Sequence, residues 1–222
     1  MKAHIDHKAG NALLFKFAVA IFVFSFAAFA LRVIADPEKW ARYTPLVSMH
    51  GAIMMGWMAL LASQARLAMT GKLASHRAFG RWSPLLVVAM VTTGLTVSWN
   101  GAQEVGNYIV FISNICIFLT FVPLYVAAII FARKHKPAEH RQAMLLATLS
   151  TLGPAISRVT GVLDLPISAA LLIQIIATIG LSIWLDKASR GGVAKSTWGL
   201  LGFYFGMMFA TAATFFAMIA AA

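Results

Sequence analysis

The stretch "QAMLLATLSTLGPAISRVTG", residues 142–161, decides how many times this chain crosses a membrane. Its 20 residues match the ~20 that a helix needs to span the hydrocarbon core. It also holds Gly153, Pro154 and Arg158, none of which favours an ordinary span. Six other apolar segments flank it, at Asn11–Ala35, Pro45–Met69, Trp82–Trp99, Asn107–Ala132, Leu165–Leu185 and Thr197–Ala221. The distribution of charge argues for counting it. Lys2, Lys8 and Lys16 lie before or within the start of the first segment, and Arg66, Lys72, Arg77 and Arg81 at or beyond the end of the second. Arg133, Lys134, Lys136 and Arg141 precede residue 142, and Lys187, Arg190 and Lys195 precede the last segment. These are fourteen of the 18 basic residues, and with seven spans they all fall on one side. Omitting residues 142–161 would put Lys187–Lys195 on the opposite side. Basic residues collect in cytoplasmic loops, which predicts an inside N-terminus and an outside C-terminus.

Composition sets the class. The chain is 60% hydrophobic and 11% charged, against about a quarter charged in soluble domains. No ~10-residue alternating segments of a membrane β-barrel occur. The expectation is an all-α, polytopic membrane helix bundle of seven transmembrane helices. Residues 1–222 form a single integral membrane domain, multi-pass in a bacterial inner membrane. The net charge of +11 is read as the loop bias just described, so nucleic acid is not expected as a partner. Cys116 is the one cysteine, which excludes an internal disulfide and CxxC metal chemistry. The basic N-terminus and its long apolar run read as a retained first span. Trp40, Tyr43, Trp99 and Tyr108 fall near the outer boundary, and Trp82, Trp184 and Trp198 near the inner one. Glycines in the second and last spans permit close helix contact.

Three polar residues are expected at similar depth in the outer half: His50, Asn114 and Arg158. Polar and ionisable groups at that depth need a partner or an aqueous cavity. They are therefore the candidate ligand-binding residues, with Asp164 as a candidate partner for Arg158. The competing reading has Arg158 snorkelling outward and His50 bonded to a nearby carbonyl. His50, Met54 and Met58 share one helix stripe, with Met55 beside it, which suits either Cu(I) or ordinary gap filling.

The inner side carries two similar segments, "SHRAFGRW" at 75–82 and "EHRQAM" at 139–144. Each is a His-Arg pair at an expected helix start, with Ser75 and Glu139 placed to cap. His76 and His140 then stand at matching depth on different helices, as two axial haem ligands can. The cofactor site expected on this reading has His76 and His140 on a haem iron, with Arg77 and Arg141 compensating propionates. The competing reading makes both pairs interfacial anchors. His135, His4 and His7 are expected in solvated segments.

With "HRAFGR" and "EHRQAMLLATLSTLGPAISRV", the chain resembles a bacterial membrane-domain family of unassigned activity. That family has an HRxLGR-like segment, then HRxWM and a span ending in arginine. His76, Arg77, Gly80, Arg81, His140, Arg141, Met144 and Arg158 match; Phe79 and Ala143 depart from the pattern. The likeness covers residues 50–160. A fainter likeness, to cytochrome b561 and ferric-reductase membrane domains, rests on histidines on successive helices. Paired histidines at both faces are missing, so it implies no two-haem relay. The last span has no lysine for a retinal Schiff base, and no P-loop occurs. The leading functional expectation is a cofactor- or ligand-binding membrane protein, with b-type haem or quinone-linked electron transfer its most concrete form. An accessory subunit packed on other membrane protein subunits, and a small-anion transporter using Arg158, are the alternatives.

Overall fold

The computed structural model describes residues 5–220, with side chains through residue 214. Lys2 and His4 lie outside the described residues, as does Ala221 at the end of the seventh expected span. Every regular element described is helical: α1 His7–Ala35, a 3-10 turn Pro37–Arg42, α2 Pro45–Met69, α3 Leu73–Gly80, α4 Ser83–Val105, α5 Ile109–Arg133, α6 Pro137–Ser150, α7 Gly153–Val162, α8 Ile167–Arg190 and α9 Lys195–Ala220. Local chemistry explains several starts. The Asp6 carboxylate accepts from Ala9 N at 2.9 Å, and Thr44 Oγ1 accepts from Val47 N at 3.3 Å ahead of Pro45.

Five stretches among the described residues are long and apolar enough to cross a membrane: α1, α2, α3 with α4 over Leu73–Val105, α5 and α8. Their outward faces carry large apolar side chains such as Phe26, Leu85, Val88, Leu172 and Ile176. Trp40, Trp82, Trp184 and Trp198 are exposed, as boundary aromatics are.

Two segments depart from the sequence reading. "SHRAFGRW" opens the third membrane-length stretch, Leu73–Val105, but as a separate short helix. It forms most of α3, set off from α4 at Arg81–Trp82. Pro84 has no N–H to give back to Gly80 O, and Ser83 Oγ donates there instead at 2.7 Å. Ser75 lies inside α3 and does not cap it, because the helix starts at Leu73.

The second departure concerns residues 142–161. They belong to two helices, broken at Thr151–Leu152 ahead of Gly153 and Pro154. Neither α6 nor α7 alone has the length of a span. Yet α6 is the most enclosed element, with Arg141 to Ala143 and Leu145 to Ser150 all buried. It packs against α1, α5, α8 and α9, while α7 packs against α1 and α8. The break leaves carbonyls that the missing Pro154 N–H and the interrupted ladder do not satisfy. Thr151 Oγ1 donates to Thr148 O at 2.8 Å. Gln174 Nε2 of α8 donates to Leu149 O at 2.7 Å and to Tyr204 Oη of α9 at 2.6 Å. Trp57 Nε1 of α2 donates to Thr148 Oγ1 at 3.2 Å, and its ring packs edge-on to Phe121 and Tyr125 of α5. The broken helix is thus held from three sides.

Gln174→Leu removes the interhelical amide donor to Leu149 O, which also accepts from Leu152 N at 3.1 Å. Interhelical hydrogen bonds in membranes contribute about 0.5–1.5 kcal/mol. Unfolding in detergent should show a loss of that order, with no loss for Leu171→Ala on the exposed face of the same helix.

Candidate functional site

At the basic end of the bundle, α3 and α6 bring His76 and His140 together. Their ring centres lie 6.2 Å apart, with the planes at 87°. His76 Nδ1 is 3.2 Å from Gln64 O of α2, and His140 Nδ1 is 2.9 Å from Ala128 O of α5. A carbonyl oxygen only accepts, so each Nδ1 carries the hydrogen. In the neutral rings both Nε2 atoms keep their lone pairs. An Nδ1–H held by a backbone carbonyl is the arrangement that orients metal-ligating histidines. Two imidazole nitrogens at ~2.0–2.1 Å from one ion put the ring centres roughly 6 Å apart. The ring centres lie at about that distance for a near-linear pair of ligands.

The surroundings are polar for a helix bundle. Gln64 is only 9% exposed, and neither atom of its side-chain amide has a hydrogen-bond partner. The amide reaches toward α3: a Cβ on Gly80 would sit 3.6 Å from Gln64 Oε1. Ser83 has spent its proton on Gly80 O, so at 2.7 Å Tyr125 Oη must donate to Ser83 Oγ. Tyr125 is one helical turn before Ala128 on α5. Among the described residues no three His, Cys, Asp or Glu side chains gather around one point. A metal held here would rest on the two imidazoles.

The two arginines named with this pair part company. Arg77 is exposed on α3 and forms no ion pair among the described residues. Arg141 is buried on another face of α6, where it donates to Asn11 Oδ1 of α1 at 3.0 Å and lies 3.5 Å from His7 Nδ1. Beside it Arg190 bridges Glu139 at 3.4 Å and Asp186 at 3.2 Å. Asp186 is 1% exposed and also accepts from Thr197 Oγ1 at 2.6 Å and Ala194 N at 2.8 Å. Glu139 is therefore a bridge to α8 in the first turn of α6, with the helix itself starting at Pro137. His7 is drawn to Arg141, while His135 is exposed at a φ of 54°.

At the opposite end, His50 Nδ1 lies 3.0 Å from Thr93 Oγ1 of α4. Thr93 donates its only hydroxyl proton to Ala89 O at 2.6 Å. His50 must therefore be the donor to Thr93, and its Nε2 keeps a lone pair as in the other two rings. Arg158 donates to Pro154 O at 2.7 Å and lies 4.0 Å over the Phe29 ring of α1, a cation–π contact. Asn114 folds back on its own helix, donating to Val110 O at 3.1 Å. No hydrogen bond joins these three residues to one another. Asp164 is exposed at a φ of 53° and forms no ion pair with Arg158. Arg32 and Lys39 instead clamp Asp36, each at 2.7 Å. The Lys39 hydrogen bond first, and the charge of Arg32 with it, hold this loop carboxyl below its ordinary value. That clamp is complete at neutral pH and is lost as pH falls through the lowered value. Met58 is buried, and Met54 and Met55 pack on the core, as gap-filling methionines do.

Gln64, Thr93, Phe29 and Asp186 carry much of this chemistry and were not singled out from sequence. Asp186 alone left a signal, as a lone acid within an otherwise basic segment. Gly94 offers a sharp check on the His50 region. A Cβ there would lie 2.7 Å from Phe118 Cζ and 3.0 Å from His50 Cε1. Gly94→Ala should destabilise the protein by about 1–3 kcal/mol through overpacking. Gly101→Ala on the same helix meets nothing within 4 Å and should be neutral or stabilising by up to about 1 kcal/mol. Thermal unfolding of both variants in one detergent measures the contrast.

Compared with protein-family models, curated proteins and solved structures, the chain finds no match.

Proposed function

We propose that this chain is a multi-pass protein of a bacterial inner membrane that binds a redox cofactor at its cytoplasmic end. A b-type haem is the most concrete form of that cofactor, with a quinone as the exchange partner. The observation behind this is the histidine pair: two imidazoles from different helices, each held at Nδ1 by a backbone carbonyl, with ring centres 6.2 Å apart. Haem supplies one-electron transfer when bound. His76 and His140 would hold its iron, and the Gln64 and Ala128 carbonyls would fix their orientation. Arg77 is available to a propionate, whereas Arg141 is engaged by Asn11.

In this reading α6 and α7 together make the fifth of seven crossings and α9 the seventh. The N-terminus is inside and the C-terminus outside. The basic residues on alternate loops and the enclosed position of α6 support that count. A second reading, a small-anion transporter using Arg158, is favoured by the break at Thr151–Leu152, because interrupted helices line substrate paths in transporters.

Two measurements test these readings. The absorption spectrum of the purified protein should show a Soret band, with α and β bands on reduction. His76→Ala and His140→Ala should each abolish it, and His135→Ala should leave it intact. Full haem content in His76→Ala, or a colourless wild-type protein reconstituted with haem, rejects the cofactor reading. A reporter fused after Ala222 should be active only if it works on the periplasmic side. Cytoplasmic activity there means that α6 and α7 do not cross.

A further inference from the structure

A groove of about 800 Å³ lies between α2 and the α3–α4 pair, on the outside of the bundle. Gly56, Leu60 and Phe79 form part of its apolar wall, and Arg66 and Lys72 stand at its basic-end mouth. We infer that this groove is a binding site for one anionic phospholipid, with the phosphate at Arg66 and Lys72 and an acyl chain along α2. The inference does not depend on the histidine pair.

Length, charge and shape support it. From Gly56 to Thr70 the α2 face extends about 21 Å at ~1.5 Å per residue. Half of a ~30 Å hydrocarbon core plus the adjoining headgroup layer has that depth. The groove therefore runs from the middle of the membrane to one surface, as a lipid of one leaflet does. At the mouth, neither Arg66 nor Lys72 forms an ion pair among the described residues. Half-buried Glu139 and buried Asp186, two acids of that end, are bound to Arg190 on the far side of α6. The hydroxyls bordering the groove are also occupied internally: Ser63 Oγ donates to Leu60 O at 2.8 Å and Thr70 Oγ1 to Arg66 O at 2.9 Å. The two cations are what the groove offers to a polar head, and they call for an anion. Deeper in, a Cβ at Gly56 would meet nothing within 4 Å, so the wall is recessed where a chain would lie. A free phosphate has no use for that wall, and a neutral quinone head has no use for two cations.

The test uses the full chain in detergent and native mass spectrometry with phosphatidylglycerol and phosphatidylcholine. One phosphatidylglycerol should bind in preference to phosphatidylcholine. Arg66→Gln with Lys72→Gln should weaken it by roughly tenfold or more, since each surface cation is worth ~1 kcal/mol toward an anionic head. Gly56→Leu should also weaken it with charge unchanged. Arg133→Gln with Lys134→Gln, at the same end but outside the groove, should leave it intact. Equal binding of the two lipids overturns the inference. So does an equal loss in the Arg133 and Lys134 variant, which would mean general surface attraction. Undiminished binding in Gly56→Leu, or full displacement by inorganic phosphate, would mean the head group alone is held, and overturns it as well.

Discussion

The carbonyl of Leu149 sits where a buried helix stops, and its satisfaction constrains the rest of the bundle. Within a membrane-embedded bundle no bulk water reaches such a group, and an unpaired carbonyl costs several kcal/mol. Pro154 removes one of the N–H groups that would have continued the ladder. Leu149 O accepts from Leu152 N at 3.1 Å within the turn and from the Gln174 amide of α8 at 2.7 Å. Gln174 is in turn held by Tyr204 of α9, and Thr148 by Trp57 of α2. A single break therefore fixes the positions of three surrounding helices. It also explains why a short polar-flanked segment, too short to span alone, ends up as the most enclosed element of the fold.

That central helix separates two kinds of polar chemistry. On one face of α6, His140 meets His76 and an unpartnered Gln64 amide lies nearby. On another, Arg141, Arg190, Asp186 and Glu139 form a compensated ionic cluster that ties α6 to α1 and α8. Arg190 is paired with Glu139 and Asp186 and Arg141 bonds Asn11, while Arg141 Nε and Arg190 Nη2 have no hydrogen-bond partner among the described residues. On the histidine side, the two Nε2 atoms and the Gln64 amide have no hydrogen-bond partner among the described residues. The functional proposal rests on the meeting of two histidines from different helices, and the arginines tie α6 to α1 and α8.

His50 shows the same tautomer logic at the other end, because Thr93 is already committed to Ala89 O. The three intramembrane or boundary histidines on α2, α3 and α6 all present Nε2. Arg158 meets its cost of burial differently, through a backbone carbonyl and the face of Phe29. A guanidinium can be accommodated by a π face because it is planar and weakly hydrated.

The sequence by itself determined the helical class, five of the membrane-length apolar segments and the pairing of the His76 and His140 segments at one end of the bundle. Hydropathy and charge are properties of residues along one chain, and a helix's fixed rise converts residue number into depth. What only the tertiary structure decided was azimuth and partnership. Arg141 follows His140 directly, yet points to α1, since adjacent residues on a helix face different neighbours. Asn114 shares a depth with His50 but bonds its own helix. Asp164 is near Arg158 in sequence, but it is exposed and forms no ion pair among the described residues. The division of residues 142–161 into two helices is signalled by Gly153 and Pro154. Its place at the centre is not, because that depends on donors 25 and 55 residues further along the chain. Which side of a helix is buried, and against whom, is set by the packing of all the helices together.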